Sequence, residues 1–192
     1  IGSIRRVIQA MGIPAVGLES FEADDILATF ARVVDELQGE CHLVTNDKDC
    51  RQLVTDRVSI YNIRKTQAFD REALFEQWGI APEQVVDYQS LVGDSVDNVP
   101  GVPLIGPKIA QQLLEKYGTL ESVLDHAHEV SGKKRKQNLI AGRDQAFLSR
   151  TLVKLDSRVP IEIDFDAGRV GKLDDPKLAE LFHEFGFQSL LE

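Results

Sequence analysis

Residues 93–110 read GDSVDNVPGVPLIGPKIA, and the interpretation of this stretch decides that of the whole chain. Gly101 and Gly106 bracket a tight connection, and Pro107-Lys108 opens a helix with proline at its natural first position. Backbone N–H groups at such a start, together with the helix dipole, make an anion site. Lys108 adds a point charge suited to phosphate, and the apolar Val102, Leu104 and Ile105 are expected to anchor the turn. This is the helix–hairpin–helix pattern of sequence-independent duplex binding. Immediately before it, Asp94 and Asp97 stand three apart behind a helix-ending Gly93. An Asp/Asn surface turn has the same spacing.

Two other stretches change that reading. FEADD carries Glu22, Asp24 and Asp25, and TNDKD carries Asp47 and Asp49. Singly, each has an ordinary explanation. Acids in a helix's first turn compensate its dipole, by about 0.3–1 kcal/mol each, and TNDKD can be a polar loop with a cap. Yet TNDKD follows an apolar run, residues 41–45, expected as a fully buried parallel strand. Ligand crevices lie at the carboxyl ends of such strands. Lys48, between the two acids, is expected to point away. Glu22 and Asp25 are three apart and should share a helix face, with Asp24 pointing elsewhere. Seven carboxylates in three motifs, each at an element's end, favour one shared site. Gathered acids repel unless cations lie between them, and oxygen-only ligands suit Mg²⁺ or Mn²⁺. Such a cluster beside a phosphate-gripping hairpin is the chemistry of phosphodiester hydrolysis.

The 192 residues, 43% hydrophobic and 28% charged, are ordinary for one domain or two small ones. The net charge of −9 gives no support for a polyanionic partner. Most of it resides in the seven motif acids, so bound cations and local basic patches are compatible with one. GKKRK, residues 132–136, is the strongest basic run, and Lys133, Lys134, Arg135 and Lys136 are expected to track a duplex backbone with Arg143 and Arg150. A solvated helix face reads the same way. Cys41 and Cys50 have no metal or redox spacing and are expected to be free thiols. The four histidines have no ligand spacing, and Phe75, Trp78 and Tyr88 look like core or interface residues. No apolar run approaches the ~18 residues that span a bilayer. The chain starts Ile1-Gly2-Ser3 and reads as a fragment of something longer.

Helical spacing predicts helices over residues 4–11, 22–37 (capped by Ser20, with Ile26, Leu27, Phe30, Val33, Val34 and Leu37 as its apolar stripe), 71–78, 82–91, 108–117, 120–127, 133–141, 144–152 and 176–185, and a last turn at 188–191. Strands are predicted at 13–18, 41–45, 58–63 and 159–165. Strand–helix alternation followed by helices alone predicts an α/β layer joined to an all-α part. The expected domains are residues 1–85 and 86–192, with the tail returning to pack on the first layer.

FEADD, LVTNDKD, YQSLVGDSVDNVPGVPLIGPKIA and FGFQSLL, in that order, resemble the 5′→3′ exonuclease (flap endonuclease-like) domain at the N-terminus of bacterial DNA polymerase I, through nearly all 192 residues. The resemblance implies a PIN-like (resolvase-like) parallel sheet with helices on both faces, joined to an all-α helix–hairpin–helix (SAM-like) subdomain. It implies that Glu22, Asp24 and Asp25 serve a first metal, with Asp24 as the direct ligand. Asp47 and Asp49 would lie between two metals, and Asp94 and Asp97 would serve the second. Asp24, Asp47 and Asp49 are the implied catalytic centre, using two Mg²⁺ or Mn²⁺ ions. Gly101, Val102, Ile105, Gly106 and Lys108 would grip duplex phosphates, with a K⁺ ion held there by backbone carbonyls. The implied substrate is duplex DNA with a 5′ flap, nick or RNA primer, in replication and repair. A polymerase domain is expected C-terminal in the parent chain, along with a monomeric state, no membrane association and a bacterial cytoplasmic, nucleoid-associated location. Family members begin with an Asp-bearing strand and a helical arch that this chain does not include, so its activity alone is expected to be impaired. The alternative is a non-catalytic module that holds duplex or junction DNA.

Overall fold

Glycine and proline stops divide the helix-forming stretches, and short runs between them give the strands. The computed structural model describes residues 2–64 and 66–190. Two compact units emerge, residues 24–159 and residues 1–23 with 160–192. The expected division near residue 85 thus runs through the middle of the larger unit.

In that unit a three-stranded sheet runs in the order β1 (Cys41–Leu43), β2 (Val58–Asn62), β3 (Gln67–Phe69). β1 and β2 are parallel, with Cys41 opposite Val58, while β2 and β3 are antiparallel, with Ile60 opposite Phe69. The sheet is therefore mixed. The crossover from β1 to β2 contains a 3₁₀ helix, Asp49–Leu53. Leu43, Cys50, Val54, Val58 and Ile60 pack with Ala31 of helix α2 (Ala23–Glu36) to form the sheet's core. α2 buries Ile26, Ala28, Thr29 and Ala31, whereas Leu37 lies beyond its end and is exposed. Of the expected stripe, Ile26 is buried and Leu27 packs on the sheet's core.

The all-α part follows. Helix α3 (Arg71–Trp78) is capped by Asp70, whose Oδ1 accepts the Ala73 N–H at 3.0 Å, and it stops at Gly79. Helices α4 (Val85–Val92), α5 (Pro107–Tyr117), α6 (Leu120–Asp125), α7 (Lys133–Ala141) and α8 (Arg143–Val153) enclose Val85, Leu91, Val102, Ile105, Leu114, Leu120 and Leu139. α4 packs against α5, α6 and α8, so its C-terminal end presents Gly93 and Asp94 from a fixed frame. In the smaller unit, helix α1 (Gly2–Ala10) packs on α9 (Asp175–Phe185) through Ala10, Leu178 and Leu181. Arg6 holds Glu184 through two bonds of 2.6 Å.

Two expected strands are absent: residues 13–18 and 159–165 are irregular. Each contains a proline, Pro14 and Pro160, that withdraws a ladder donor, and neither finds a strand to pair with among the described residues. β1 is partly exposed rather than fully buried, because β2 is its single partner among them. Ser20 sits in a turn at φ 72° and does not cap α2. Of the expected last turn, Gln188–Leu190 is a 3₁₀ turn and Leu191 lies outside the described residues. Phe75, expected in the core or at an interface, is 64% exposed and so lies outside the core, while Trp78 stacks on Tyr88 at 4.9 Å between ring centroids.

Candidate functional site

The turn after β1 fixes the second acidic motif. The Asp47 N–H donates to Thr45 Oγ1 at 3.0 Å, and Asp47 Oδ1 accepts the Asp49 N–H at 2.9 Å. This local bonding is the Asx-turn habit of aspartate. It leaves Asp47 exposed and Asp49 half-buried at the entrance to the 3₁₀ helix. The next residue, Cys50, is fully buried. Burial, then the charges of Asp24 and Asp47, push its thiol up to about 12. The first and second motifs therefore meet around one sulfur atom. Asp24 and Asp25 lie in the first turn of α2, whereas Glu22 precedes that helix. Asp25 Oδ1 accepts the Asp156 N–H at 2.8 Å and holds the loop after α8.

The third motif reaches the second through Lys48. Its ammonium pairs with Asp94 Oδ2 and lies 3.6 Å from Asp97 Oδ2. Lys48 thus points toward these acids, not away as the sequence suggested. An ammonium between two carboxylates relieves their repulsion, which favours this rotamer over a solvated one. Asp94 is further fixed by its turn: its backbone exchanges bonds of 2.8 and 2.7 Å with Val99, and its Oδ1 accepts the Val96 N–H at 2.8 Å. Asp49 joins the second and third motifs. Burial, chiefly, raises its pKa, with Asp47 and Asp97 adding to the effect, while a hydrogen bond from Gln89 and the charge of Lys48 oppose it. Gln89 belongs to α4, is 5% exposed and donates Nε2 to Asp49 Oδ1. Its Oε1 is buried with no hydrogen-bond partner.

These donors fit a hard divalent cation. They are oxygen-only, Asp94 and Asp97 already share one cationic group, and Gln89 Oε1 is a buried acceptor without a hydrogen bond. Among the described residues no three His, Cys, Asp or Glu side chains are grouped as a metal cage.

The hairpin stands behind Asp94. Gly101 adopts φ 60°, donates its N–H to Ser149 Oγ at 3.0 Å and accepts from Gln145 Nε2 at 2.8 Å. Pro103 O accepts from Asn138 Nδ2 at 2.7 Å. Val102 and Ile105 are buried beneath the turn, but Leu104 is 59% exposed at φ 70° and does not anchor it. Gly106 is the extended residue before α5, and Lys108 in its first turn is exposed. Lys133 and Lys134 are exposed and Arg135 and Lys136 half-exposed at the start of α7. Arg143 and Arg150 are instead engaged, with Asp125 at 2.9 Å and Glu121 at 2.5 Å.

Family models for the 5′-3′ exonuclease N-terminal resolvase-like domain and C-terminal SAM fold match residues 1–79 and 80–176. The chain belongs to the 5′-3′ exonuclease family. As a 5′-3′ exonuclease chain it is 42% identical to DNA polymerase I of Rhizobium leguminosarum, over 98% of its own length and 19% of that protein. It is 38% identical to DNA polymerase I of Bacillus caldotenax, over 98% of its length and 22% of that protein. The chain thus spans about a fifth of these relatives. A bacteriophage T5 flap endonuclease structure, a pseudo-enzyme–product complex with DNA and metal ions, superposes with TM-score 0.68 at 25% identity, covering 88% of this chain and 62% of that one. The catalytic core of Rad2 with DNA substrate shares the fold, with TM-score 0.60 at 17% identity, 95% of this chain and 62% of that one. The family's resolvase-like and SAM folds correspond to the sheet layer and the helical part. Among the described residues no helix is long and apolar enough to cross a membrane.

Sequence reading overlooked Lys48 as a partner of the acids, Cys50 as their meeting point and Gln89 as a buried donor. Their signals were weak: a lysine inside DKD, a lone thiol, and a glutamine on a short helix of mixed polarity.

Proposed function

We propose that this 5′-3′ exonuclease chain supplies most of the acidic half of a site that hydrolyses DNA phosphodiesters near a 5′ end or a single-strand/double-strand junction. The observation that carries this is the meeting of Asp24 with Asp47 at Cys50, and of Asp49 with Asp97 and Lys48. Three stretches separated by more than 20 residues each contribute to one neighbourhood. Asp47 and Asp49 would hold both divalent ions, Asp24 the first, and Asp94 with Asp97 the second. Glu22 and Asp25 would complete the first-metal group, Asp25 keeping its bond to the loop after α8. Such ions, when bound, lower the pKa of water and stabilise a leaving oxygen. Gln89 holds the Asp49 carboxylate in place, and Lys48 keeps Asp94 and Asp97 together. The Gly101–Gly106 hairpin, Val102, Ile105 and Lys108, with the lysines and Arg135 of α7, would grip the duplex backbone, reading shape rather than bases. K⁺ at the hairpin, a monomeric state, a C-terminal polymerase and a nucleoid location belong to the same reading of the parent protein.

Titration of the chain with Mn²⁺, followed by electron paramagnetic resonance, tests the site itself. Wild type is expected to bind the ion, and Asp47→Asn to bind it at least about tenfold more weakly; equal affinity would refute the metal reading. The alternative is a module that only holds junction DNA. Mg²⁺-dependent cleavage of a 5′-flap oligonucleotide by a polypeptide extended to the length of its relatives separates the two.

Two further outcomes are expected. Lys48→Met removes the ammonium shared by Asp94 and Asp97, so Mn²⁺ affinity should rise about fivefold, the size of a partly exposed ion pair. Unchanged or weaker affinity would mean that Lys48 is not competing for that position. Lys108→Ala should weaken duplex binding about equally for all sequences and lower the salt slope by about 1, as read by fluorescence anisotropy across a NaCl series.

A further inference from the structure

A cleft of about 380 Å³ opens next to Asp47, lined by Asn46, Arg51, Gln67, Glu76 and Gln77 among others. Its volume falls in the range of small-ligand sites. Arg51 is the unusual member. Its guanidinium carbon lies 4.8 Å from the Phe69 ring centroid and 4.3 Å from that of Trp78. Burial holds its pKa below the usual arginine range. Among the described residues its guanidinium makes no hydrogen bond and no ion pair to a carboxylate. A half-buried guanidinium held against two rings, with five unused donors, is a pre-positioned fork. The ring contacts hold its plane, so little side-chain freedom is left to lose on binding.

The rest of the wall says what the fork would meet. Among the described residues one cation faces two carboxylates, Asp47 and Glu76, a balance that disfavours a phosphate dianion. Carboxamides offer donors and acceptors side by side, which is what the edge of a heterocycle needs. Guanine presents two acceptors, N7 and O6, that match an arginine fork, and its N1–H and N2–H₂ suit a carboxylate such as Glu76. We propose that this cleft takes one unpaired purine base, guanine in preference, from the nucleic acid whose backbone is handled beside Asp47. The source of the base rests on the nuclease reading above; the pocket does not.

Trp78 is the chain's single tryptophan and touches Arg51, so its fluorescence reports on the cleft directly. The 192-residue chain would be titrated, without divalent metal and with excitation at the red edge of the tryptophan band, using dGMP, dTMP and deoxyribose 5-phosphate. All three carry the same phosphate, so differences between them belong to the base. A saturable change is expected with dGMP, about tenfold weaker binding with dTMP, and none with deoxyribose 5-phosphate. Arg51→Met keeps the aliphatic stem and should abolish the dGMP response; Glu76→Gln, at an exposed position where folding is not at stake, should weaken dGMP and leave dTMP unchanged. Equal responses to all three probes, or dGMP binding unaffected by both substitutions, would overturn the proposal. Because no metal is present, such a failure leaves the Mn²⁺ result for Asp47→Asn standing, and the reverse also holds.

Discussion

Asp47→Ala, in a polypeptide extended to the length of its DNA polymerase I relatives, is expected to lower Mg²⁺-dependent cleavage of a 5′-flap substrate by about a thousandfold or more, while duplex affinity stays within about twofold. Asp47 is exposed, and its charge raises the pKa of Asp49 and, with that of Asp24, of the Cys50 thiol. Metal-assisted hydrolysis owes several kcal/mol to charge stabilisation by ions that such acids hold, and 4 kcal/mol corresponds to about a thousandfold in rate. Alanine also removes the 2.9 Å bond to the Asp49 N–H, a loss of about 1 kcal/mol in turn stability. Asp47→Asn keeps an oxygen for that bond and removes only the charge. Both variants should lose cleavage alike, with Asn melting at the wild-type temperature. If Asn retains cleavage, the turn and not the charge matters, and Asp47 is structural. If duplex binding falls in step with cleavage, the acids shape the binding surface and the catalytic account fails.

How much of this was legible beforehand differs between helices and strands. Helices announced themselves through their stops: Gly79, Gly93, Gly118 and Gly186 each end one where expected. A helix satisfies its own backbone, so local sequence suffices. A strand needs a neighbour that local sequence does not name. Residues 13–18 and 159–165 have the composition of strands but pair with no strand among the described residues, while Gln67–Phe69, too short to be noticed, pairs with β2. The acids of all three motifs were visible as chemistry, and their expected convergence is carried into the proposed site. The direction of Lys48 was not, because a side chain's rotamer depends on charges brought near by the fold. Asp94 lies 46 residues further along the chain. Gln89 and Arg51 were invisible for the same reason: their roles rest on which groups are buried beside them.

Gly101→Ala should destabilise the larger unit by about 4 kcal/mol, a large share of the 5–15 kcal/mol typical of a domain. Two features combine. Gly101 has φ 60°, where an L side chain costs about 1–2 kcal/mol. A Cβ there would lie 2.5 Å from Gly93 N, 2.7 Å from Gly93 Cα and 2.7 Å from the Val92 carbonyl carbon. These are backbone atoms at the end of α4, which cannot turn aside as a side chain can. Relieving the overlap means separating the hairpin from α4, at an overpacking cost of about 1–3 kcal/mol. It would also strain the Ser149 and Gln145 bonds, each worth about 1 kcal/mol. Gly106 provides the contrast: nothing lies within 4 Å of its Cβ position and its φ is −88°. Gly106→Ala should therefore change stability by less than about 1 kcal/mol. Urea unfolding followed through Trp78 reads both variants on one scale. A Gly101→Ala midpoint close to that of Gly106→Ala would show that the glycine crossing of Gly93 and Gly101 gives way easily, and that the hairpin is not held against α4 as tightly as its contacts imply.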